Sequence, residues 1–260
     1  MQKLNIPKIS LITVSFNGSK EIHDLLNSLK KNPPKESWEL VVVDNNSPLK
    51  QNYSFLVEEI NVHLIELNNN LGFGGGNAEG VRFSRGEYLG FINPDIEVRK
   101  NCLDELLRAL QKDTETGIVC PLLTSKSNNI LENTWDFPTF WQLLKRRLFS
   151  GRKPSIPEKN TSVPWAQGSF LVMKKSLFTS LGGFDPRFFL FFEDTDLCRK
   201  CWKNGKKVVQ IPSAKAFHTE HRLSGGNIFR ALFKKTFWIH FVSMMKYFWK
   251  YRGKKQPTIF

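Results

Sequence analysis

The sequence predicts an α/β fold with a mostly parallel central sheet and helices on both faces. Three observations predict it. Short runs of β-branched and aliphatic residues recur along the first half of the chain. Stretches with helical apolar spacing separate these runs. Each run stops at a polar break, so polar side chains collect at the strand C-terminal ends, the edge at which such sheets bind ligands.

Residues 9–16 (ISLITVSF) read as a fully buried first strand, continuous and β-branched. Asn17-Gly18-Ser19 breaks it. Ile22, Leu25, Leu26 and Leu29 then fit one helix face, and Asn32-Pro33-Pro34 ends the helix. Residues 40–43 form a second strand that runs into the turn Asp44-Asn45-Asn46-Ser47-Pro48. A helix is expected over 52–60 and a third strand over 62–67, ending in Asn68-Asn69-Asn70. The segment LGFGGGNAEGVRFSRG leads to a fourth strand at 88–92, a helix at about 100–111 and a fifth strand at 117–120. Residues 122–165 mix Asn, Ser, Lys and Pro with aromatic residues, and irregular structure with a short helix at 139–149 is expected. A strand at 168–173, a helix starting near Asp194 and closed by Asn204-Gly205, and a last strand at 207–211 complete the pattern.

The 260 residues suffice for a substantial core. A formal charge of +14 implies attraction to an anionic partner such as nucleic acid, phospholipid or a phosphorylated small molecule. No stretch reaches the ~18 uninterrupted apolar residues of a membrane span. The N-terminus lacks signal-peptide architecture, so an intracellular protein is expected. The four cysteines, Cys102, Cys120, Cys198 and Cys201, show no disulfide framework, and a lone Cys-x-x-Cys in a helical pattern reads as packing rather than metal binding. Residues 226–260 contain Lys and Arg but no acid. Their basic residues fall in two sectors of a helical wheel, without a clean amphipathic stripe. Two readings stay open: a bilayer-interface segment, suggested by Phe, Trp and Tyr among the basic residues, or a helix packed on the domain.

Several residues could carry chemistry. Gly72, Gly74 and Asn77 belong to a Gly-rich segment between the third strand and a helix. Either its backbone N–H groups meet phosphate or its small residues allow a tight turn. Gly-x-Gly-x-x-Gly is absent after the first strand, which argues against a nicotinamide-dependent oxidoreductase, and no Walker A motif is present. Asp44 can accept from a base or ribose donor, or form an Asx-turn with Asn46 and Ser47. Pro94 makes Asn93 extended and delivers Asp95 to the sheet edge. A hard divalent cation on a diphosphate needs only one or two protein carboxylates. Glu193, Asp194 and Asp196 form the densest acid cluster. Repulsion and burial there raise a carboxyl pKa, as suits a general base, although a helix N-terminus also favours acids on its own account. His218 can act as a metal ligand. Trp135, Trp141 and Trp165 can stack on sugars or fill a core.

In order, ISLITVSFNGSK, ELVVVDNNS, NNLGFGGGNAEGV, GEYLGFINPDIEV, GSFLVMKKSLFTSLGGFDPRFFLFFEDTDLCRK and IPSAKAFH resemble a family-2 glycosyltransferase, and most closely its rhamnosyltransferase branch. The resemblance covers about residues 8–222. It implies a GT-A fold: a nucleotide-sugar-binding half at 1–121, an acceptor-binding and catalytic half at 122–225, and the basic aromatic tail at 226–260. It further implies that Val14, Ser15, Asn17, Asp44 and Asn46 line the nucleotide, and that the Gly72–Asn77 segment encloses the donor. Asn93 and Glu193 would contact substrate, Asp95 and His218 would hold Mg2+ or Mn2+, and Asp194 would be the catalytic base. The first acid of the Asp-x-Asp metal motif is Asn93 here, which weakens the expectation of strict metal dependence.

The implied function is inverting transfer of a sugar, rhamnose among the candidates, from a nucleotide-sugar donor to a saccharide or lipid-linked acceptor. The setting would be surface polysaccharide synthesis at the cytoplasmic face of the membrane, with contact through the tail. A non-catalytic sugar-nucleotide-binding protein is the alternative. A nucleic-acid-binding protein fits less well, because the strand-end rim is acidic and amide-rich and the basic residues concentrate at 142–159 and in the tail.

Overall fold

The computed structural model describes residues 6–139, 157–219 and 235–260. The first four strands are β1 (Ile9–Ser15), β2 (Trp38–Asp44), β3 (Val62–Glu66) and β4 (Tyr88–Ile92). They lie parallel in the spatial order β3-β2-β1-β4. Helix α1 (Ser19–Lys31) crosses from β1 to β2, and α2 (Gly72–Phe83) crosses from β3 to β4.

After β4 a short turn leads to β5 (Ile96–Val98), α3 (Cys102–Lys112) and β6 (Thr116–Thr124). The two-residue strands β7 (Ile130–Leu131), β8 (Thr134–Trp135), β9 (Thr161–Ser162) and β10 (Trp165–Ala166) come next. Then follow β11 (Phe170–Lys174), α4 (Lys175–Ser180), α5 (Glu193–Lys203), β12 (Lys207–His218) and α6 (Lys235–Lys250).

The main sheet continues from β4 through β11, β6 and β12 to β5. β11 runs antiparallel to both neighbours, pairing Phe170 with Ile92 and Val172 with Val119, while β6 and β12 are parallel. β1, β2, β4, β6 and β12 therefore bring their C-terminal ends to one edge, and β11 brings its N-terminal end to the same edge. This mixed sheet with helices on both faces is the predicted α/β class.

Side-chain alternation divides the core. Ile9 and Leu11 face α1 and α3, packing with Leu25, Leu29, Leu106 and Leu110. Ile12, Val41, Val43 and Phe91 face the opposite layer and pack with Phe178, Leu197, Cys198 and Trp202 of α4 and α5. Each fully buried leucine or phenylalanine contributes roughly 1.5–3 kcal/mol. All four cysteines are buried free thiols, as their packing role predicts.

Several elements differ from expectation. The helix over 52–60 is only a 3-10 turn, Ser54–Leu56. Its apolar residues do not share a buried face, since Val57 and Ile60 are 83% and 97% exposed. The last strand continues past 211 to His218. Pro212 has no N–H for the ladder, and pairing with β6 shifts register between Ile211 and Lys215 before resuming. Segment 122–165 contains short paired strands where irregular chain was expected. The helix over 139–149 lies outside the described residues except for Thr139, as do Trp141 and residues 226–234 of the tail.

The rest of the tail packs on the domain. Tyr247 and Tyr251 are buried against Phe188 and Phe192, while Trp238, Phe241, Val242, Met245 and Trp249 lie exposed. Among the described residues, no helix is long and apolar enough to cross a membrane.

Candidate active site

The ends of β1 and β2 are fastened to each other. Asn45 N–H donates to Ser15 O (2.9 Å), and Asn17 N–H donates to Ser47 Oγ (2.8 Å). Asn17 Oδ1 accepts from Leu49 N–H at 3.1 Å. Asn17 and Asn46 have φ of 62° and 58°, a left-handed conformation that asparagine tolerates. Asp44 is buried. Its Oδ1 accepts from Ser47 N–H and its Oδ2 from Tyr53 O–H, each at 2.8 Å. Asp44 therefore caps its own turn through the N–H three residues on, and each oxygen keeps a second lone pair for a ligand. Tyr53 O–H also lies 3.3 Å from Ser15 Oγ, and burial pushes its pKa up.

The glycines of 72–76 belong to the first turns of α2. N–H groups at this helix start are already engaged: Leu71 donates to Asn45 Oδ1, Gly72 to Asn70 Oδ1 and Phe73 to Phe189 O. Close approach explains the small residues instead. A Cβ on Gly74 would lie 3.3 Å from the Phe184 Cβ, and one on Gly76 would lie 2.8 Å from Val14 Cγ1. The segment thus seats α2 between β1 and the chain that precedes α5. Asn77, one turn on, donates from Nδ2 to Phe73 O at 2.9 Å.

At the end of β4, Asn93 N–H donates to Ser169 O (2.8 Å) and carries the ladder with β11 one step further. Pro94 then turns the chain into β5, which pairs His218 with Ile96. This pairing brings His218 Nε2 to 3.3 Å from Asp95 Oδ2. Thr219 N–H donates to Asp95 O (3.2 Å) and fixes the same corner. Among the described residues, no group of three His, Cys, Asp or Glu side chains could hold a metal ion. One carboxylate and one imidazole do suit a hard or borderline divalent cation whose other ligands are phosphate oxygens and water.

Asp194 lies in the first turn of α5, directly across the Asn93–Ser169 link. Its Oδ2 accepts from Gly168 N–H (2.9 Å) and its Oδ1 from Thr195 N–H (2.6 Å). Two residues, Gly168 and Ser169, thus join Asp194 to Asn93 through hydrogen bonds at both ends. Burial raises the Asp194 pKa, opposed by these donors. Glu193 is also buried, and desolvation first, then the Asp194 charge, lift its pKa well above the usual range. Glu193 Oε2, Ser169 Oγ and Asn77 Oδ1 are buried oxygens without hydrogen-bond partners. Groups of this kind call for a ligand or water as partner.

The Glu193 carboxyl holds its proton more tightly in the folded chain than in the unfolded one. Native stability therefore declines as pH rises above the ordinary glutamate range toward the raised folded value. Glu193→Gln removes that slope. Its melting temperature should exceed the parent's by more at about pH 8 than at about pH 5. Differential scanning fluorimetry reads this directly, and an equal difference at both pH values would contradict it.

The predicted residues divide into groups. Asn17, Asp44 and Asn46 gather at the β1–β2 ends, with Ser15 closing β1 and Val14 packed under α2. Asn93, Asp95 and His218 gather at the β4 turn. Glu193 and Asp194 stand opposite, beside Gly74 and Gly168 respectively. Adjacent strands are about 4.8 Å apart, so Asp44 on β2 and the β11 end are separated by roughly 15 Å along this edge. Asn70, at a strand end in the sequence, accepts from Asn45 Nδ2 and Gly72 N–H, and Asn45, Tyr53 and Ser169 also build the edge. Asn45 was adjacent to a chosen residue, while Tyr53 and Ser169 carry no signal in sequence. Asp196, the third acid of the cluster, points to α6 and bonds Lys250 and Tyr251. Trp135 and Trp165 pair on β8 and β10, with ring centroids 4.7 Å apart.

A family model described as "Glycosyl transferase family 2" matches residues 10–182. Rhamnosyltransferase WbbL of Escherichia coli K12 is 26% identical over 255 residues, covering 92% of each chain. The N-acetylglucosaminyl-diphospho-decaprenol L-rhamnosyltransferase of Mycobacterium tuberculosis is 27% identical over 145 residues, covering 51% of this chain and 47% of its own. Among solved structures, mannosyltransferase PcManGT from Pyrobaculum calidifontis, in complex with GDP-Man and Mn2+, superposes with a TM-score of 0.61 at 17% identity. That superposition covers 84% of this chain and 58% of the mannosyltransferase, and it shows a shared GT-A-like fold.

Proposed function

The chain belongs to glycosyl transferase family 2, and on that premise we propose that it transfers a sugar from a nucleoside-diphosphate sugar to a hydroxyl of a saccharide or lipid-linked saccharide, with inversion at the anomeric carbon. The observation that carries the proposal is the edge itself. Asp95 and His218 meet on one side of the β4 turn, and Asp194 stands on the other side, across Gly168 and Ser169.

In the proposed reaction the acceptor oxygen forms a bond to the anomeric carbon as the bond from that carbon to the diphosphate oxygen breaks. The electron pair leaves with the nucleoside diphosphate, and the hydroxyl proton passes to an Asp194 oxygen. One base and one displacement invert the configuration, by the logic that separates inverting from retaining glycosidases. Asp95 and His218 would hold a divalent cation, which when bound offsets diphosphate charge. Asp44 and the Asn17–Asn46 loops would receive the nucleoside. Buried Glu193, whose carboxyl pKa is raised, would donate a hydrogen bond to a sugar hydroxyl.

Two relatives bear on donor and acceptor. One is named a rhamnosyltransferase, and the name of the other specifies a polyprenyl-diphosphate-linked acceptor. Both point this proposal toward a deoxyhexose donor and a lipid-linked saccharide.

A thermal-shift panel of UDP-, GDP- and dTDP-sugars, each with and without Mn2+, tests the reading. At least one nucleotide sugar should stabilise the chain by about 3 kcal/mol at 100 times its Kd. The Mn2+-dependent part of that shift should vanish in Asp95→Ala. No stabilisation by any nucleotide sugar, or an undiminished Mn2+ effect in Asp95→Ala, would refute the site.

A further inference from the structure

Six non-glycine residues among those described have a left-handed backbone. Four are asparagines; the other two are Phe191 and Phe192, with φ of 69° and 70°. Asparagine adopts this conformation readily, whereas bulky aromatics do so at a cost of about 1–3 kcal/mol each. The two phenylalanines immediately precede Glu193 and Asp194. Such a turn persists only where surrounding structure holds it; Phe73 N–H of α2 donates to Phe189 O, and further holding contacts come from α6.

Ser243 Oγ–H donates to Leu190 O at 2.8 Å. Lys246 Nζ donates to Arg187 O, also at 2.8 Å. Phe188 and Phe192 pack in a buried cluster with Tyr247 and Tyr251. Lys250 Nζ bridges Asp185, on one side of the turn, at 2.6 Å and Asp196, on the other side, at 2.5 Å. Tyr251 O–H adds a bond to Asp196 Oδ1 at 2.8 Å. Asp196 is fully buried, and Lys200 Nζ lies 3.5 Å from its other oxygen. The turn and α6 both lie beyond the segment that the family model matches.

We propose that Ser243 and Lys250 are positioning residues for Asp194: through them α6 clamps the strained 188–192 turn and so fixes where the carboxylate stands. The proposal rests on the reading of Asp194 as the base. It assigns α6 a role in turnover, beyond its role in covering the domain.

Hydrogen–deuterium exchange and steady-state kinetics on the full chain, with UDP-, GDP- and dTDP-sugars as donors, test it. Lys250→Met should speed exchange of the 188–194 amides while β1–β4 stay protected. It should lower kcat about 100-fold with donor KM little changed. Lys250→Arg should recover most of that loss, because a guanidinium can engage both carboxylates. Ser243→Ala removes one neutral hydrogen bond and should lower kcat about 5-fold, with the same local exchange signature.

Unchanged exchange at 188–194 in both Lys250→Met and Ser243→Ala overturns the clamp. So does local loosening with kcat unchanged. If Lys250→Met unfolds globally, Ser243→Ala decides, and silence there also overturns it. The exchange measurement needs no substrate. Local loosening combined with full turnover in Asp194→Asn would therefore sink the assignment of the base while leaving the clamp of the turn intact.

Discussion

Asp194→Asn should lower turnover about 10²–10⁴-fold while leaving donor affinity unchanged. The asparagine has nearly the same shape. Its carbonyl oxygen can still accept from Gly168 N–H or from Thr195 N–H, the two donors that hold the native carboxylate. It has no oxygen able to take up the proton of an attacking hydroxyl. Donor binding should survive, because the residues assigned to the nucleotide and the cation, Asp44, Asp95 and His218, belong to other strand ends. Isothermal titration with the donor and an initial-rate assay separate the two quantities. Turnover within a few-fold of the parent would remove Asp194 from the mechanism. Loss of donor binding together with turnover would make it a residue of the donor site instead.

Gly72→Ala should destabilise the chain by on the order of 3 kcal/mol, a melting-temperature loss of roughly 6–12 °C. Gly72 has φ +74°, and a Cβ there would stand 1.9 Å from the Phe189 carbonyl oxygen. That oxygen also accepts from Phe73 N–H at 2.8 Å, so it cannot withdraw freely. Gly182 supplies the control. Its φ is +75°, yet a Cβ would meet nothing within 4 Å. Gly182→Ala should therefore show only the left-handed backbone cost, about 1–2 kcal/mol. The difference between the two variants, measured by urea denaturation, isolates the contact between α2 and the turn before α5. Equal losses would show that this contact bears no energy.

Much of this arrangement can be read from the sequence. Residues 9–15, 40–43 and 88–92 lie in strands covered on both faces, so their apolar runs are long and their polar ends stand out. For the same reason Asp44, Asn93 and Asp95 can be placed at one edge from sequence alone. The 52–60 segment misleads because its apolar residues suggest a helix, whereas Tyr53 is drawn to Asp44 and Ile60 faces solvent. The glycines of 72–76 are ambiguous for a different reason. Phosphate binding and close packing both select glycine, and the deciding neighbours, Phe184 and Phe189, are distant in the chain. The Asp95–His218 contact depends on β12 resuming its pairing after Pro212, which no local pattern reveals. Lys250 lies in a tail whose helical wheel shows no stripe, and its partners Asp185 and Asp196 become its neighbours only through the fold.

Strand β11 runs against its neighbours and links β4 to β6 only after a long excursion of the chain. Bringing such remote segments together delays their contact, because loop-closure entropy must be overcome before any pairing is gained. The block β3-β2-β1 has less delay: Trp38 follows its partner Ile9 by 29 residues and Val62 follows Leu40 by 22, against 78 between Ile92 and Phe170. Assembly is therefore expected to be ordered in time. The proposed nucleoside platform at the β1–β2 ends can form while Gly168, Ser169 and Asp194 are still apart, so on the proposed reading the nascent molecule would acquire a place to hold a donor before the group that would spend it.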